Sequence, residues 1–362
     1  MAKYKRVVVK VGTKVITSKE RTLDRERIRN LVEQLSDVRD RGTEVLLVTS
    51  GAIGAGMGLL GLKKRPALLS ELQASAAIGQ GHLMQFYSEY FRARSYLTGQ
   101  ILLTQEDLND RKRYLNIKHT ILALLGHGVI PVINENDTVS TDEIKCGDND
   151  RLSALVADLC GADMLILLTD VDGLLDEDGR VIKFVEEINS RVAKLGGASR
   201  CDLGTGGMAT KLAAARSACE AGMECVIANG TKKGIIPDIL DGKAAGTAFK
   251  CQGVKFLAKK RWIAFSSRTK GRIEVDDGAR EALSRKDRSL LASGVLAVSG
   301  DFSQGDAVSV VDRNGKEFAR GLVNYSSEAA AKIKGLKTSA FKAVLGYKGP
   351  DEVIHKDNLV IL

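Results

Sequence analysis

The first two thirds of the chain alternate between short apolar runs and longer segments in which apolar residues recur at helical spacing. The run at 6–12, RVVVKVG, has the pattern of a buried strand, and the segment at 24–42 has an amphipathic helical pattern ending at Gly42. The apolar face of that predicted helix comprises Ile28, Leu31, Val32, Leu35 and Val38. Further strand-like runs lie at 44–51, 99–104, 128–137, 163–173 and 223–230. The alternation predicts an α/β layered fold with a mostly parallel sheet.

The pattern changes after about residue 255. The basic stretch 255–262, KFLAKKRW, predicts a linker, and shorter β-type segments follow it. An Asn314-Gly315 pair among them is a signal for a two-residue hairpin turn. We therefore predict two domains, a large α/β domain at 1–258 and a small β-rich domain at 268–348.

Polar residues collect where the predicted strands end. Because ligands of open α/β sheets bind beyond the carboxyl ends of the strands, we expect these clusters to converge on one rim of the sheet. The clusters are Lys10-Val11-Gly12-Thr13, Thr49-Ser50-Gly51-Ala52, Asn134-Glu135-Asn136-Asp137 and Thr169-Asp170-Val171-Asp172.

A glycine-rich stretch at 203–211, LGTGGMATK, precedes a helix-like run. Glycine lets the backbone approach an anion closely, and a helix N-terminus presents unpaired N–H groups, so a phosphate chain is a candidate ligand. The spacing is not that of a P-loop, because Thr210 precedes Lys211 and Leu212 follows it. A simple turn before a helix remains the alternative.

Two more segments suggest anion binding. Lys10 lies inside a buried-strand pattern, where its charge is costly without a partner, so it either reaches a phosphate or extends to water at the strand's edge. The stretch 49–58, TSGAIGAGMG, follows a strand but lacks the glycine spacing of a dinucleotide-binding fold. It is either a backbone cradle for an anion beside Ser50 or a turn that requires small residues.

Carboxylates and amides crowd two later segments. The residues are Asn134, Asn136, Asp137, Asp148, Asn149 and Asp150. They could serve only as turn formers and helix caps, or they could bind an ammonium group, a metal ion or lysine side chains. Thr169 and Asp170 end a strongly apolar run, where a carboxylate could contact Mg²⁺ or a ribose. The acidic spacing there is incomplete for an EF-hand.

Composition narrows the class of protein. With 362 residues, of which 44% are hydrophobic and 27% charged, the chain has the composition of a globular protein. Its net charge of +9 is compatible with anionic ligands such as nucleotides or nucleic acid, or it reflects only a lysine-rich surface. It shows no signal peptide and no apolar run long enough to span a membrane. Six cysteines without a C-x-x-C pair disfavour a zinc site and suggest reduced thiols in a cytoplasmic protein.

The chain shows no plausible Ser/His/Asp triad and no obvious general base. Its four histidines, His82, His119, His127 and His355, lie outside the polar clusters. A reaction that needs no base is the attack of an ionised carboxylate on ATP, where the difficulty is bringing an anion to a polyanion. Two lysines, glycine-rich backbone donors and Mg²⁺ would meet that difficulty.

Six motifs occur in a characteristic order: VVVKVGT, VTSGAI, PVINENDTV, GDNDRLSALVA, LLTDVDGL and GTGGMATK. In order and spacing they resemble the glutamate 5-kinase branch of the amino acid kinase family, and the trailing segment resembles the PUA domain appended to many bacterial members. The resemblance implies a three-layer sandwich at 1–258 and a PUA domain at 268–348. It also implies phosphorylation of the γ-carboxylate of L-glutamate by ATP with Mg²⁺, the first step of proline biosynthesis.

The same resemblance implies roles for particular residues. Lys10 and Lys211 would act on the phosphates in the transition state, and Asp150 would hold both lysines. Glutamate would be bound by Ser50, Gly51, Ala52, Asp137 and Asn149. ATP would be bound by Lys10, Gly12, Thr169, Asp170, Thr205, Gly206, Gly207, Met208, Ala209, Thr210 and Lys211. Ala209 stands where some relatives carry Ser, which puts no essential role in doubt. No side chain is predicted as a direct metal ligand.

The resemblance further implies a homo-oligomer, a dimer or tetramer, with L-proline as a feedback inhibitor and a reductase that receives the glutamyl phosphate. Residues 263–362 carry 16 Lys and Arg against 13 Asp and Glu, a net charge of +3, so we expect no tight RNA binding by the tail. The rival functions are N-acetylglutamate kinase, uridylate kinase, an RNA-binding protein with a vestigial kinase fold, and an NAD-dependent enzyme, which the glycine spacing disfavours.

Overall fold

The computed structural model describes residues 3–18, 22–139, 148–197, 207–243, 245–250, 262–263, 269–286 and 288–362. By its internal contacts the chain divides into two units. The first consists of residues 1–108 and 112–255, and the second of residues 109–111 and 256–362. Each unit has its own hydrophobic core.

The first unit is organised around a sheet of eight described strands. They are β1 Arg6–Val11, β2 Glu44–Val48, β3 Thr98–Leu103, β4 Ile130–Glu135, β5 Met164–Thr169, β6 Phe184–Val185, β7 Glu224–Asn229 and β8 Thr247–Phe249. Their order is β3-β4-β2-β1-β5-β7-β8-β6, and every neighbouring pair is parallel except β7 with β8. The predicted α/β fold with a mostly parallel sheet is therefore confirmed.

Helices alternate with these strands along the chain. The helices up to residue 240 are α1 Thr13–Ile16, α2 Arg25–Asp40, α3 Ala52–Leu59, α4 Leu69–Ala93, α5 Gln105–Asn109, α6 Arg111–Gly126, α7 Asp148–Cys160, α8 Ser190–Leu195, α9 Met208–Glu220 and α10 Ile235–Leu240. The helix predicted at 24–42 is α2. Asp24 caps it, accepting hydrogen bonds from the backbone N–H groups of Glu26 and Arg27.

The two faces of β1 differ in what covers them. Val7, Val9 and Val11 point into the main core, which also contains the apolar faces of α2, α4 and α10. Because side chains alternate across a strand, Lys10 points to the opposite face, where α7 packs on β1 and α9 packs on α7. Helices therefore cover both sides of the sheet, and a lysine is buried under two of them.

Helices α3 and α4 touch backbone to backbone. A Cβ atom on Gly56 would lie 1.8 Å from the carbonyl oxygen of Ser75, and one on Gly79 would lie 1.8 Å from that of Ala52. No side chain fits at either position, because real Cβ atoms keep far longer distances. The packing of α3 on α4 therefore explains why the 49–58 stretch has a glycine at position 56.

The second unit is a small β-rich fold, as predicted. Its elements are β9 Gly271–Val275, α11 Asp277–Lys286, β10 Leu290–Leu291, β11 Val295–Gly300, β12 Ala307–Val311, β13 Glu317–Leu322, α12 Ser327–Ile333, α13 Phe341–Leu345, β14 Glu352–Ile354 and β15 Leu359–Ile361. Five strands form a mixed sheet in the order β11-β9-β12-β13-β15, and β10 pairs with β14. Single 3₁₀ turns lie at Ala292–Gly294, Thr338–Ala340 and Lys356–Asn358.

The Asn314-Gly315 pair does join two antiparallel strands, β12 and β13, but the turn is not the predicted two-residue type. The backbone N–H of Asp312 donates to the carbonyl oxygen of Lys316, so three residues form the loop. Only Gly315 has a positive φ, +75°, whereas a type I′ turn needs positive φ at two successive residues. The pair therefore closes the hairpin with one left-handed residue.

Of the cysteines in the described residues, Cys219 departs from expectation. Cys160 and Cys225 are buried free thiols, and burial raises the pKa of Cys160 to about 12. Cys219, on α9, is disulfide-bonded, so the prediction of reduced cysteines is wrong there. Spacing along the chain could not reveal this, because a disulfide requires only that two cysteines approach in space.

Two further expectations concern the linker at 255–262 and membrane-spanning helices. The predicted linker lies outside the described residues except for its last member, Trp262, which is buried. Among the helices of the described residues, none combines the length and apolarity that crossing a bilayer requires.

Candidate active site

The carboxyl ends of four adjacent strands, β4, β2, β1 and β5, bring the polar clusters together. The amide of Asn149 reaches the carbonyl oxygen of Thr49, 2.9 Å away, although these residues are 100 positions apart. The same amide nitrogen lies 2.9 Å from Oδ1 of Asn134. The predicted convergence on one rim is therefore confirmed for the clusters after β2 and β4 and for the start of α7.

At the centre of the rim, one buried carboxylate binds two buried lysines. Asp150 Oδ1 lies 2.6 Å from Nζ of Lys10, and Asp150 Oδ2 lies 3.2 Å from Nζ of Lys211. The exposed fractions are 0% for Asp150, 4% for Lys10 and 5% for Lys211. With both lysines protonated, this cluster carries one net positive charge out of contact with water.

The pKa values of this cluster reflect a balance between burial and attraction. Burial acts to raise the pKa of Asp150, but the charges of Lys10 and Lys211 outweigh it and hold that pKa below its usual value. Burial lowers the pKa of Lys211, and its attraction to Asp150 opposes this only in part. Asp150 is thus firmly ionised, while Lys211 holds its proton less tightly than an exposed lysine.

The start of α9 is held to the same carboxylate. The hydroxyl oxygen of Thr210 lies 2.8 Å from Asp150 Oδ2 and 2.8 Å from the carbonyl oxygen of Gly207. Gly207 is the N-cap residue of α9 and offers no side chain to the first N–H groups. Met208 and Ala209 are the first two residues of the helix. Thr205 and Gly206 lie outside the described residues.

Beside the lysines lies a chain of hydrogen-bonded polar side chains. The Nδ2 atom of Asn149 donates to the hydroxyl oxygen of Ser50 at 2.8 Å and to Oδ1 of Asn134. In turn, Nδ2 of Asn134 donates to Oε1 of Gln80, on α4, at 2.8 Å. Asn134 and Gln80 are 2% and 8% exposed, so this chain extends from the rim into the interior.

Three small residues lie where helices α1 and α3 begin. Gly51 has a φ of +103°, which only glycine adopts without strain, and it is the N-cap residue of α3. Ala52 is the first residue of α3 and is buried. Gly12 is the N-cap residue of α1, and a Cβ there would lie 3.8 Å from Nζ of Lys10. At Gly12, backbone rather than a side chain therefore lies beside the ammonium group of Lys10.

The remaining predicted residues lie on the flanks. Thr169 ends β5, and its hydroxyl donates to Oδ1 of Asp170 at 3.2 Å. Asp170 forms an ion pair of 3.1 Å with Lys14, and both side chains are substantially exposed. Asp137 is half-buried in the turn after β4. The ion pair with Lys14 therefore ties Asp170 to a charged neighbour on α1.

Residues 5–229 match the amino acid kinase family, which is more than half of the chain. The chain belongs to the amino acid kinase family. Residues 271–345 match the PUA domain. In this amino acid kinase the described site residues, from Lys10 to Lys211, all lie within the first match.

Several curated relatives of this chain carry the name glutamate 5-kinase. The relative from Thermoanaerobacter sp. (strain X514) is 49% identical over 99% of this chain and 98% of its own. Those from Caldanaerobacter subterraneus subsp. tengcongensis and Moorella thermoacetica are 50% and 48% identical, over 99% and 100% of this chain and 98% and 97% of theirs. The resemblance to glutamate 5-kinases seen in the motifs is confirmed over nearly the whole chain.

Two features of this amino acid kinase are not among the sequence predictions. For Asn134 the sequence left open a turn or cap role and a ligand-binding role, whereas the structure makes it a buried link to Asn149. Gln80, which accepts a hydrogen bond from Asn134, is not among the predicted site residues. A signal for Gln80 existed, because it lies on the same helical face as Ala76, Leu83 and Tyr87, which are all buried. A polar residue on an apolar helix face needs a partner inside the protein.

Proposed function

We propose that this chain transfers the γ-phosphoryl group of ATP to the γ-carboxylate of L-glutamate, which gives γ-glutamyl phosphate and ADP, the first step of proline biosynthesis. The observation that carries the proposal is the buried cluster in which Asp150 binds Lys10 and Lys211. The name shared by the relatives supports the choice of substrate.

The chemistry needs charge compensation rather than a base. The γ-carboxyl group of glutamate has a pKa of about 4.3 and is ionised at neutral pH, so it attacks without losing a proton. Its approach to the γ-phosphorus brings two anions together. Lys10 and Lys211 meet the charge that develops on the transferring group, and Asp150 fixes both ammonium groups before the reaction begins.

ATP lies in this proposal along the rim formed by β1, β5 and α9. The uncapped N–H groups at Gly207, Met208 and Ala209 face the phosphates, together with Gly12 and the stretch from Thr205 to Lys211. Thr169 and Asp170, at the end of β5, meet the nucleotide on the other side. Thr210 acts through Asp150 as well, because its hydroxyl contacts that carboxylate.

Bound to ATP, Mg²⁺ would neutralise part of the phosphate charge. Among the described residues, no group of three or more His, Cys, Asp or Glu side chains is arranged to hold a metal ion. In this proposal the nucleotide phosphates would bind the metal, and Asp170 is the carboxylate at the end of β5 on the proposed nucleotide side.

Glutamate lies on the side of β2 and β4. Ser50, Gly51 and Ala52 line the γ-carboxylate, where the N-terminus of α3 presents backbone N–H groups to an anion. Asn149 and Asp137 address the α-amino and α-carboxyl end. The carboxylate of Asp137 pairs with the substrate ammonium in this arrangement.

A single assay tests the proposal. Release of ADP is measured with L-glutamate and then with aspartate, N-acetylglutamate and UMP, each with Mg-ATP. We expect turnover with glutamate and little with the others. Turnover with N-acetylglutamate or UMP instead would reassign the chain within its family, and turnover with none would overturn the proposal.

Regulation and assembly extend the proposal. L-proline carries the α-amino and α-carboxyl groups of glutamate, so it competes for the part of the site near Asp137 and Asn149. We also propose a homo-oligomer, dimer or tetramer, that delivers its labile acyl phosphate to a glutamyl phosphate reductase. With a net charge of +3 at 263–362, we expect the PUA domain to serve regulation or assembly rather than tight RNA binding.

A further inference from the structure

The side-chain amides of Asn149, Asn134 and Gln80 form a hydrogen-bonded chain. Two backbone groups, on Glu135 and Thr49, show which way each amide is turned. The N–H of Glu135 donates to Asn134 Oδ1 at 2.9 Å, which identifies that atom as the oxygen. Asn134 Nδ2 is then the donor that faces Gln80, so the atom it meets is Gln80 Oε1. At the other end, the carbonyl oxygen of Thr49 accepts from Asn149 Nδ2.

This assignment leaves Asn149 with one unused group. Its Nδ2 atom has three acceptors within 2.9 Å, from Thr49, Ser50 and Asn134. Its Oδ1 atom is buried and has no hydrogen-bond partner within the described part of the chain. A buried acceptor without a donor is unfavourable, so Asn149 is oriented to receive a hydrogen bond from a ligand. The ammonium group of an amino acid is such a donor.

We propose that Gln80 is a positioning residue for the amino acid substrate, acting on Asn149 through Asn134. The inference rests on the proposed function, in which Asn149 binds glutamate. Gln80 Oε1 is the acceptor that the structure shows for Asn134 Nδ2. Without it, the buried Asn134 amide turns to find another acceptor and no longer presents Oδ1 to Asn149.

The position of Gln80 is itself fixed by the adjacent glycine. Gly79 packs so closely on Ala52 that a Cβ would lie 1.8 Å from that residue's carbonyl oxygen. Ala52 follows Ser50 and Gly51 at the start of α3. Helix α4 is therefore held directly against the segment proposed to line the γ-carboxylate. From that fixed helix, Gln80 acts through Asn134 and Asn149 on the α-amino end of the same substrate.

The test separates substrate positioning from general stability. Gln80→Met removes the acceptor at nearly constant volume, and Gln80→Leu does so with a stiffer side chain. We expect the KM for glutamate to rise about 5- to 20-fold, as for loss of one buried hydrogen bond, with kcat changed less than about twofold. The KM for ATP stays at the wild-type value. Ser75→Ala is the matched control, since it removes a buried hydroxyl on α4 that donates to the carbonyl oxygen of Glu71 on the same helix.

A double variant identifies the route of the effect. In the Asn149→Ala background, Gln80→Met is expected to raise the glutamate KM less than about twofold, because the side chain it positions is gone. An equal rise in both backgrounds would overturn the proposal, as would equal changes in the KM for glutamate and for ATP. If neither Gln80 variant folded while Ser75→Ala did, Gln80 would be a structural residue and the proposal would also be wrong. Wild-type enzyme without glutamate-dependent turnover would instead refute the proposed function.

Discussion

Replacing Asp150 by Asn is the most direct probe of the buried charge cluster. The substitution keeps the shape of the side chain and removes its charge, so Lys10 and Lys211 lose the carboxylate that lies 2.6 and 3.2 Å from them. Both lysines are at least 95% buried, and water cannot replace the lost partner. Two ammonium groups then face each other in the interior with no anion between them.

The size of the effect follows from the burial. Breaking a buried ion pair by removing one partner costs roughly 3–5 kcal/mol. We expect the lower end, about 3 kcal/mol, because burial already lowers the pKa of Lys211 and that lysine can release its proton. For a unit of this size, that loss lowers Tm by about 6–12 °C. We also expect kcat to fall by about 100-fold or more, since the preorganised positive charge is disrupted.

The assay is thermal unfolding with and without Mg-ATP, together with steady-state kinetics. Because the phosphates of ATP supply an anion to the two lysines, ATP should raise the Tm of Asp150→Asn by more than it raises that of the wild type. The control is Asp238→Asn, which removes the carboxylate from a solvent-exposed pair with Lys243 at 2.6 Å. An exposed pair contributes about 0–1 kcal/mol, so its Tm should barely move.

The reasoning would be refuted by an Asp150→Asn enzyme that melts within about 2 °C of the wild type, responds equally to ATP and keeps its kcat. That result would mean that the two lysines do not depend on this carboxylate.

Four further outcomes are expected. Because burial lowers the pKa of Lys211, kcat should begin to decline with rising pH below the ordinary lysine pKa of 10.5. Lys211→Arg, whose guanidinium stays protonated, should shift this decline to higher pH. If kcat of the two enzymes declined over the same alkaline pH range, the prediction would be contradicted. Gly79→Ala should lower Tm by about 6 °C or more, or prevent folding, because its methyl group collides with the Ala52 carbonyl, whereas Gly81→Ala, with open space around its Cβ, should be tolerated. Proline titrated at low and high glutamate should inhibit competitively, and inhibition that glutamate fails to relieve would exclude a shared site. A chain ending at Arg261 should retain turnover, since every described candidate residue precedes residue 212; a folded but inactive product, by circular dichroism, would show that the tail is needed for chemistry.

Much of the fold was predictable because its signals are local. The alternation of apolar runs with amphipathic segments located β1, β2, β3, β4, β5 and β7 to within a few residues. The six motifs identified the family, and their order along the chain allowed residue roles to be assigned by resemblance. The Asn314-Gly315 signal found the hairpin but not its loop, because turn type depends on the φ of each residue, and only Gly315 is left-handed.

By itself, then, the sequence determined the class of fold, the position of most strands and the residue types available for chemistry. Tertiary structure alone decided which of them meet. Asp150 lies 140 positions from Lys10 and 61 from Lys211, and strand order together with the packing of α7 and α9 brings the three together. It also decided that Gly56 serves helix packing and that Gln80 accepts a hydrogen bond from Asn134. The physical reason is that periodicity and turn signals act over a few residues, whereas a buried charge or amide is satisfied by whichever distant group the chain's topology delivers to it.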